Sequence, residues 1–203
     1  MKLFYSATSP YARKVLACAI TREIDQQIEL LPTNPHVMPP DLLTANPLSK
    51  VPCMITSDGM ALFDSAVICE FLDSVDGALP MFPRSGGARW LALRYQALGD
   101  GIMDAAIGRR GEIGKPLDAA RDAYMAKQKA VVARALDDLE MPVPHKLADI
   151  GSITVACAIG YVDFRFGFEP WRETHPQLAA WYEAFSEQPG IAHTAPKEQS
   201  RAA

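Results

Sequence analysis

A chain of 203 residues, 49% hydrophobic and 22% charged, has an ordinary globular balance and room for one large domain or two modest ones. Its net charge of −4, with no basic block, argues against nucleic acid or an anionic membrane surface as a partner. No apolar run approaches the roughly 20 residues that cross a bilayer, and Tyr5, Ser6 and Pro10 interrupt any secretory-signal pattern, so a cytoplasmic location is expected.

In chain order, "KLFY" at 2–5 is short, apolar and aromatic, as suits a buried strand. Ser9 is a favoured N-cap and Pro10 suits the first helical position, so a helix follows, with Val15, Leu16, Ala19 and Ile20 on its apolar face. "QIELLP" at 27–32 reads as a second strand, which makes a parallel pair with a right-handed crossover. Residues 32–46 are broken by proline and read as loop, with one helical turn at 41–44. "VPCMITSDGMALF" gives a hairpin turning at Ser57-Asp58-Gly59, where glycine supplies the positive φ of a tight turn. Asp64-Ser65 then opens a helix through 75.

This β-α-β-loop-β-β-α order is that of a thioredoxin-like fold. "DGALPMFPRSGG", rich in Pro and Gly, reads as a linker, and residues 88–107, 116–140, 152–168 and 176–187 all read as helices. The expected architecture is a thioredoxin-like domain over 1–79, a linker at 80–87 and an all-helical domain over 88–203. In that second domain Asp149, three residues before Ser152, is expected to cap the nearly all-apolar helix that follows.

Three places carry chemical possibilities beside a plain structural reading. A proline opening a strand, Pro52, is an ordinary trans start, or a cis turn that leaves the Val51 N–H and C=O facing out for an extended, peptide-like ligand. Asp64-Ser65 is an N-cap, or a seat for a zwitterion: Asp64 for an ammonium group, the Ser65 hydroxyl and nearby N–H groups for a carboxylate. Ser9 is a cap, or a hydroxyl that donates to an anion in the field of a helix N-terminus. The fold order gathers all three at one side of the sheet, along a groove about one tripeptide long. Cys18, Cys69 and Cys157 lie among apolar residues and read as inert buried thiols; with no C-x-x-C pair and four scattered histidines, no metal is expected.

Five segments in order resemble the glutathione S-transferase superfamily, most of all its small bacterial YibF-type members. "TSPYARKV" looks like their Ser/Cys-type active-site segment, "NPLSKVPCM" like N-P-x-G-K/Q-V-P, and "FDSAVICEFL" like the (E/D)-S-x-x-I-x-x-Y/F-L helix. "LALRYQALGDGIMDA" and "ACAIGYVDFRF" resemble the first and core helices of the second domain. Ser49 stands where Gly is usual, Asp64 is one methylene shorter than the commoner Glu, and Asp149 and Ser152 reverse the usual order of a capping box. Bacterial beta-class members share the opening but use Cys where this chain has Ser9.

The resemblance implies a homodimeric glutathione transferase with glutathione as co-substrate, adding its thiolate to a small hydrophobic electrophile. Ser9 would stabilise the thiolate, with Tyr5 as the alternative. Val51 would pair with the cysteinyl backbone, Asp64 and Ser65 anchor the γ-glutamyl group, and His36 and Lys50 reach the glycine carboxylate. Tyr11, Met103 and Arg109, with Arg110 and Phe164, would form the electrophile pocket. A glutathione-dependent thiol reductase or isomerase on the same fold, and a non-catalytic binding protein, are the alternatives.

Overall fold

In the computed structural model, which describes residues 1–75, 80–145 and 148–197, β1 (Lys2–Tyr5) lies between two partners. It runs parallel to β2 (Glu29–Pro32), with Leu3 opposite Leu30, and antiparallel to β3 (Cys53–Ile55), with Leu3 opposite Met54. A short β4 (Ala61–Leu62) completes the order β2-β1-β3-β4. Leu3 and Met54, on the central strands, are fully buried. The second strand is shorter than expected, because residues Asp25–Gln27 form a 3₁₀ turn closed by the Ile28 N–H on the Asp25 carbonyl at 3.1 Å. Gly59 takes φ of 89° in the β3–β4 turn, where Thr56 Oγ1 accepts from the Met60 N–H at 2.9 Å.

Helix α1 (Pro10–Thr21) makes the crossover, α2 (Pro40–Ala45) follows β2, and α3 (Ser65–Ser74) packs against α1. A mixed four-stranded sheet with these helices is the thioredoxin-like arrangement. The rest is helical: α4 (Gly86–Glu112), α5 (Ala119–Glu140), α6 (Ile150–Phe166), α7 (Pro176–Ser186) and a short α8 (Pro189–Ala192). Helix α4 opens inside the expected linker and runs past the expected end at 107, its last turn carrying Arg109 and Arg110, whose charge suits the negative end of the helix dipole. The expected 79/80 boundary adjoins residues 76–79, and the expected second domain ends in residues 198–203; both stretches lie outside the described residues.

The core is centred on α6, which is apolar on nearly every side and buried along most of its length. Asp149 caps it by accepting from the Ser152 N–H at 2.8 Å, and Ser152 Oγ accepts from the Asp149 N–H at 3.1 Å. The reversed order therefore still closes a reciprocal box. Helix α4 crosses α6 closely at Gly151, where an added Cβ would stand 2.6 Å from the Ala92 carbonyl oxygen. Helix α1 is wedged between α3 and α6, so even its polar residues are enclosed. Arg13 donates to the Ile191 carbonyl at 3.1 Å, and the fully buried Lys14 meets Asp100 at 2.6 Å.

Candidate active site

The start of α1 sits at the mouth of a groove of about 870 Å³ lined by Tyr5, Ser9, Tyr11, His36, Lys50 and Val51 on the sheet side. Asp104 and Ile107 of α4 and Tyr161 of α6 line the opposite wall. Ser9 has an extended backbone, with φ of −81° and ψ of 119°, that ends the loop, and its Oγ accepts from the Ala12 N–H at 3.2 Å. That bond uses a lone pair and leaves the hydroxyl proton available to a ligand. Pro10, buried at the first helical position, aligns the helix N–H groups toward the same place.

Val51 lies outside the ladder, which begins at Cys53, so its N–H and C=O are not committed to the sheet. The Val51–Pro52 bond is cis, as is Phe63–Asp64. Asn46 Nδ2 donates to the Lys50 carbonyl at 2.9 Å and holds the turn before Val51. Within that turn Ser49 adopts φ of 50°, the left-handed region that glycine enters most readily.

Asp64 and Ser65 stand beside the groove rather than in its lining. Asp64 is the exposed N-cap of α3, accepting from the Ala66 N–H at 3.0 Å, and Ser65 is the buried first residue of that helix. Asp64 is near enough for its charge to act on Tyr11 and Asp100.

Four of the five expected pocket residues lie outside the groove lining. Met103 is fully buried in the core, and Arg109 is buried in an ion pair with Glu169 with its guanidinium 3.9 Å from the Phe166 ring centroid. Successive helical residues are about 100° apart. On α4 that turns Met103 and Ala106 inward while Asp104 and Ile107 reach the groove. Arg110 is exposed and Phe164 packs under Arg165, neither lining the groove. Asp104, Ile107 and Tyr161 thus line the groove without having been singled out from the sequence; the i, i+3 pair of Asp104 and Ile107 on a helix already assigned to the pocket was the available signal.

Tyr11 does line the groove, and its hydroxyl donates to Asp104. Burial, that bond and the nearby carboxylates push its pKa far above the ordinary phenol value, so it stays protonated. All four cysteines are free and buried; burial pushes Cys53 and Cys157 up to about 11 and Cys18 well above its ordinary value. None of the four lines the groove. Among the described residues, no group of three or more His, Cys, Asp or Glu side chains is placed to hold a metal ion, and no helix is long and apolar enough to cross a membrane.

A thioredoxin-like sheet, a helical second half and a groove at the start of α1 define the class of the glutathione S-transferases, and the chain belongs to that family. Residues 8–75 match the family described as "Glutathione S-transferase, N-terminal domain". The chain is 30% identical over 201 residues to the uncharacterized GST-like protein YibF of Escherichia coli (strain K12), covering 97% of this chain and 98% of that one. It superposes on a glutathione transferase family member from Pseudomonas fluorescens Pf-5 with bound glutathione at 37% identity and a TM-score of 0.90, over 97% of this chain and 99% of that one. The same relative with bound S-(propanoic acid)-glutathione gives a TM-score of 0.86 at 36% identity, covering 98% of this chain and 100% of that one. A glutathione S-transferase from Methylobacillus flagellatus KT with glutathione bound matches at 32% identity and a TM-score of 0.86, over 97% and 99% of the two chains.

Proposed function

We propose that the protein is a glutathione transferase that joins the glutathione thiolate to a small hydrophobic electrophile, with Ser9 holding the thiolate. The observation that carries this reading is the Ser9 hydroxyl, its proton uncommitted, at the N-terminus of α1 and in the lining of a groove that also holds Val51. In this reading Val51 pairs with the cysteinyl backbone, and His36 and Lys50 receive the glycine carboxylate. Asp64 and Ser65 take the γ-glutamyl zwitterion. Tyr11 borders the electrophile. The assembly is a homodimer, and a cytoplasmic location belongs to the same reading.

Conjugation is favoured over disulfide exchange by the burial of all four cysteines, since exchange on this scaffold needs an accessible thiolate. The Pseudomonas relative binds a thioether adduct of glutathione, which supports conjugation as the reaction class; the propanoic acid group of that adduct belongs to the relative's ligand and is not carried over to this chain.

The test is the ionisation of bound glutathione. A free thiol has a pKa near 8.5, so only a few per cent is nucleophilic at neutral pH. A hydroxyl donating to the anion is worth about 1.5–3 kcal/mol and the helix terminus about 0.3–1 kcal/mol. Together, at about 1.36 kcal/mol per pKa unit, they bring the bound thiol to roughly 6–7. Ser9→Ala removes the larger contribution, so the ultraviolet thiolate absorbance of the complex is expected to titrate about one to two pH units higher. Should Tyr5→Phe move the titration and Ser9→Ala leave it in place, Tyr5 holds the thiolate instead. A bound thiol that titrates like free glutathione in the unaltered protein overturns the reading.

A further inference from the structure

We propose that Asp104 sets the charge preference of the electrophile subsite: the site takes neutral or cationic electrophiles and disfavours those carrying a carboxylate beside the reacting carbon. The inference rests on the transferase reading above and names its substrate class.

Three observations converge on Asp104. It is exposed and lines the groove across from the start of α1, one helical turn from Ile107. Its bonded partner is the Tyr11 hydroxyl, a neutral donor, and none of the ion pairs among the described residues includes it. Its neighbour one turn back, Asp100, is different, because the buried Lys14 ammonium meets it at 2.6 Å. The α4 wall therefore presents one unmatched negative charge together with the apolar Ile107, beside the rings of Tyr11 from α1 and Tyr161 from α6. The basic side chains of the groove, His36 and Lys50, belong to the loops after β2 and before β3. The Tyr11 bond also fixes the Asp104 carboxylate toward the first turn of α1, where Ser9 lies two residues away.

For an α,β-unsaturated acceptor the chemistry is a conjugate addition. The thiolate sulfur forms a bond to the β-carbon and the C=C π pair moves toward the carbonyl oxygen. A proton from water then ends on the α-carbon, the proton of the thiol having gone to solvent. An acrylamide-type acceptor is neutral before the bond forms and again in the product, once the α-carbon has taken its proton. An acrylate-type acceptor brings a full negative charge into the subsite that Asp104 borders, both before and after the bond forms.

The two products are nearly isosteric and differ by one charge, so they serve as probes independent of intrinsic reactivity. We would measure by calorimetry, at low salt, the binding of S-(2-carbamoylethyl)glutathione and S-(2-carboxyethyl)glutathione. Two like charges a few ångströms apart in a wet groove correspond to roughly three- to tenfold in affinity. The amide conjugate is expected to bind tighter by about that factor, with the ratio shrinking toward one near 1 M salt. Asp104→Asn keeps an acceptor for Tyr11 and removes the charge, so its ratio is expected to fall near one. Tyr11→Phe removes the bond and keeps the charge, so its ratio is expected to persist. Equal binding of the two conjugates by the unaltered protein, or a ratio that survives Asp104→Asn, overturns the inference while the transferase reading stands. If neither conjugate nor glutathione itself binds, the transferase reading falls and takes the inference with it.

Discussion

Glu169 holds two cations at once: it is bonded to the Arg109 guanidinium, and its Oε1 lies 3.4 Å from the Lys129 ammonium. Burial works against its charge, but the two cations outweigh it and hold the carboxyl below the usual value of 4.5. A carboxyl with a depressed folded-state pKa contributes stability that is present above its unfolded value. That contribution is lost as pH falls through the lower folded value. Glu169→Gln is therefore expected to cost about 1.5–3 kcal/mol at pH 7 in urea unfolding, the usual worth of hydrogen bonds to charged groups. The deficit relative to the unaltered protein should close as pH drops below 4.5; a deficit independent of pH would assign the loss to packing. This residue scale is also where the sequence was least legible. Arg109 and Arg110 are adjacent and chemically alike, yet one is buried over Phe166 and the other exposed, because neighbouring helix positions point about 100° apart. Ser9 and Asp64 were readable as caps, since capping is a local property of residue type. Ser49 was readable as a departure, and the left-handed turn now explains why glycine is the usual residue there.

The elements themselves were readable because period and punctuation are local. The strand at 2–5, α1 with its Ser9 cap and Pro10 start, and the glycine turn at 59 all form where their residues predict. What sequence periodicity did not convey was how deeply α1 is enclosed. An apolar face was expected, whereas Arg13 and Lys14 are buried as well, because α3, α6 and α8 cover the helix from several directions. The contact between α4 and α6 has the same character, depending on glycines whose role shows only once the helices cross. An alanine at 151 would place its methyl carbon 2.6 Å from the Ala92 carbonyl oxygen and 2.8 Å from Tyr95 Cβ, so the two helices must part. Gly151→Ala is expected to lower stability by about 1–3 kcal/mol, as overpacking does, outweighing the roughly 1 kcal/mol of helix propensity it gains. Gly101→Ala on α4 is the control: nothing lies within 4 Å of its added carbon, so it should gain up to about 1 kcal/mol. Opposite shifts of the urea midpoint at unchanged slope would confirm that close approach, and not glycine flexibility, fixes position 151. Equal shifts would refute it.

At the scale of the whole molecule, the groove is a product of distance along the chain. Its walls come from the first turn of α1, the loops after β2 and before β3, and the C-terminal halves of α4 and α6, which no local pattern joins. The same long-range assembly leaves large apolar side chains exposed on α3 and α4. Trp90 is 70% exposed and Val67 47% exposed, close in sequence to Arg89 and Glu70, whose ion pair at 3.3 Å ties the two helices together. Met60, in the β3–β4 turn, is 56% exposed. Single exposed apolar side chains are ordinary, but a side chain as large as tryptophan left 70% exposed favours burial against a partner. In the homodimer proposed here that partner is a second copy, and two-fold symmetry makes every contact occur twice. Light scattering at micromolar concentration is expected to give twice the mass of the chain. Trp90→Glu removes an aromatic anchor and inserts a charge at both symmetry-related places; a central anchor is commonly worth about 2 kcal/mol or more, so the variant should run at the chain mass. Because Trp90 is so little buried within its own chain, the far-ultraviolet circular dichroism of the variant should match that of the unaltered protein. A single-chain mass for the unaltered protein removes the dimer. A dimer that survives Trp90→Glu moves the interface to another face, and the groove, with its mouth at the start of α1, would then be the first face to test.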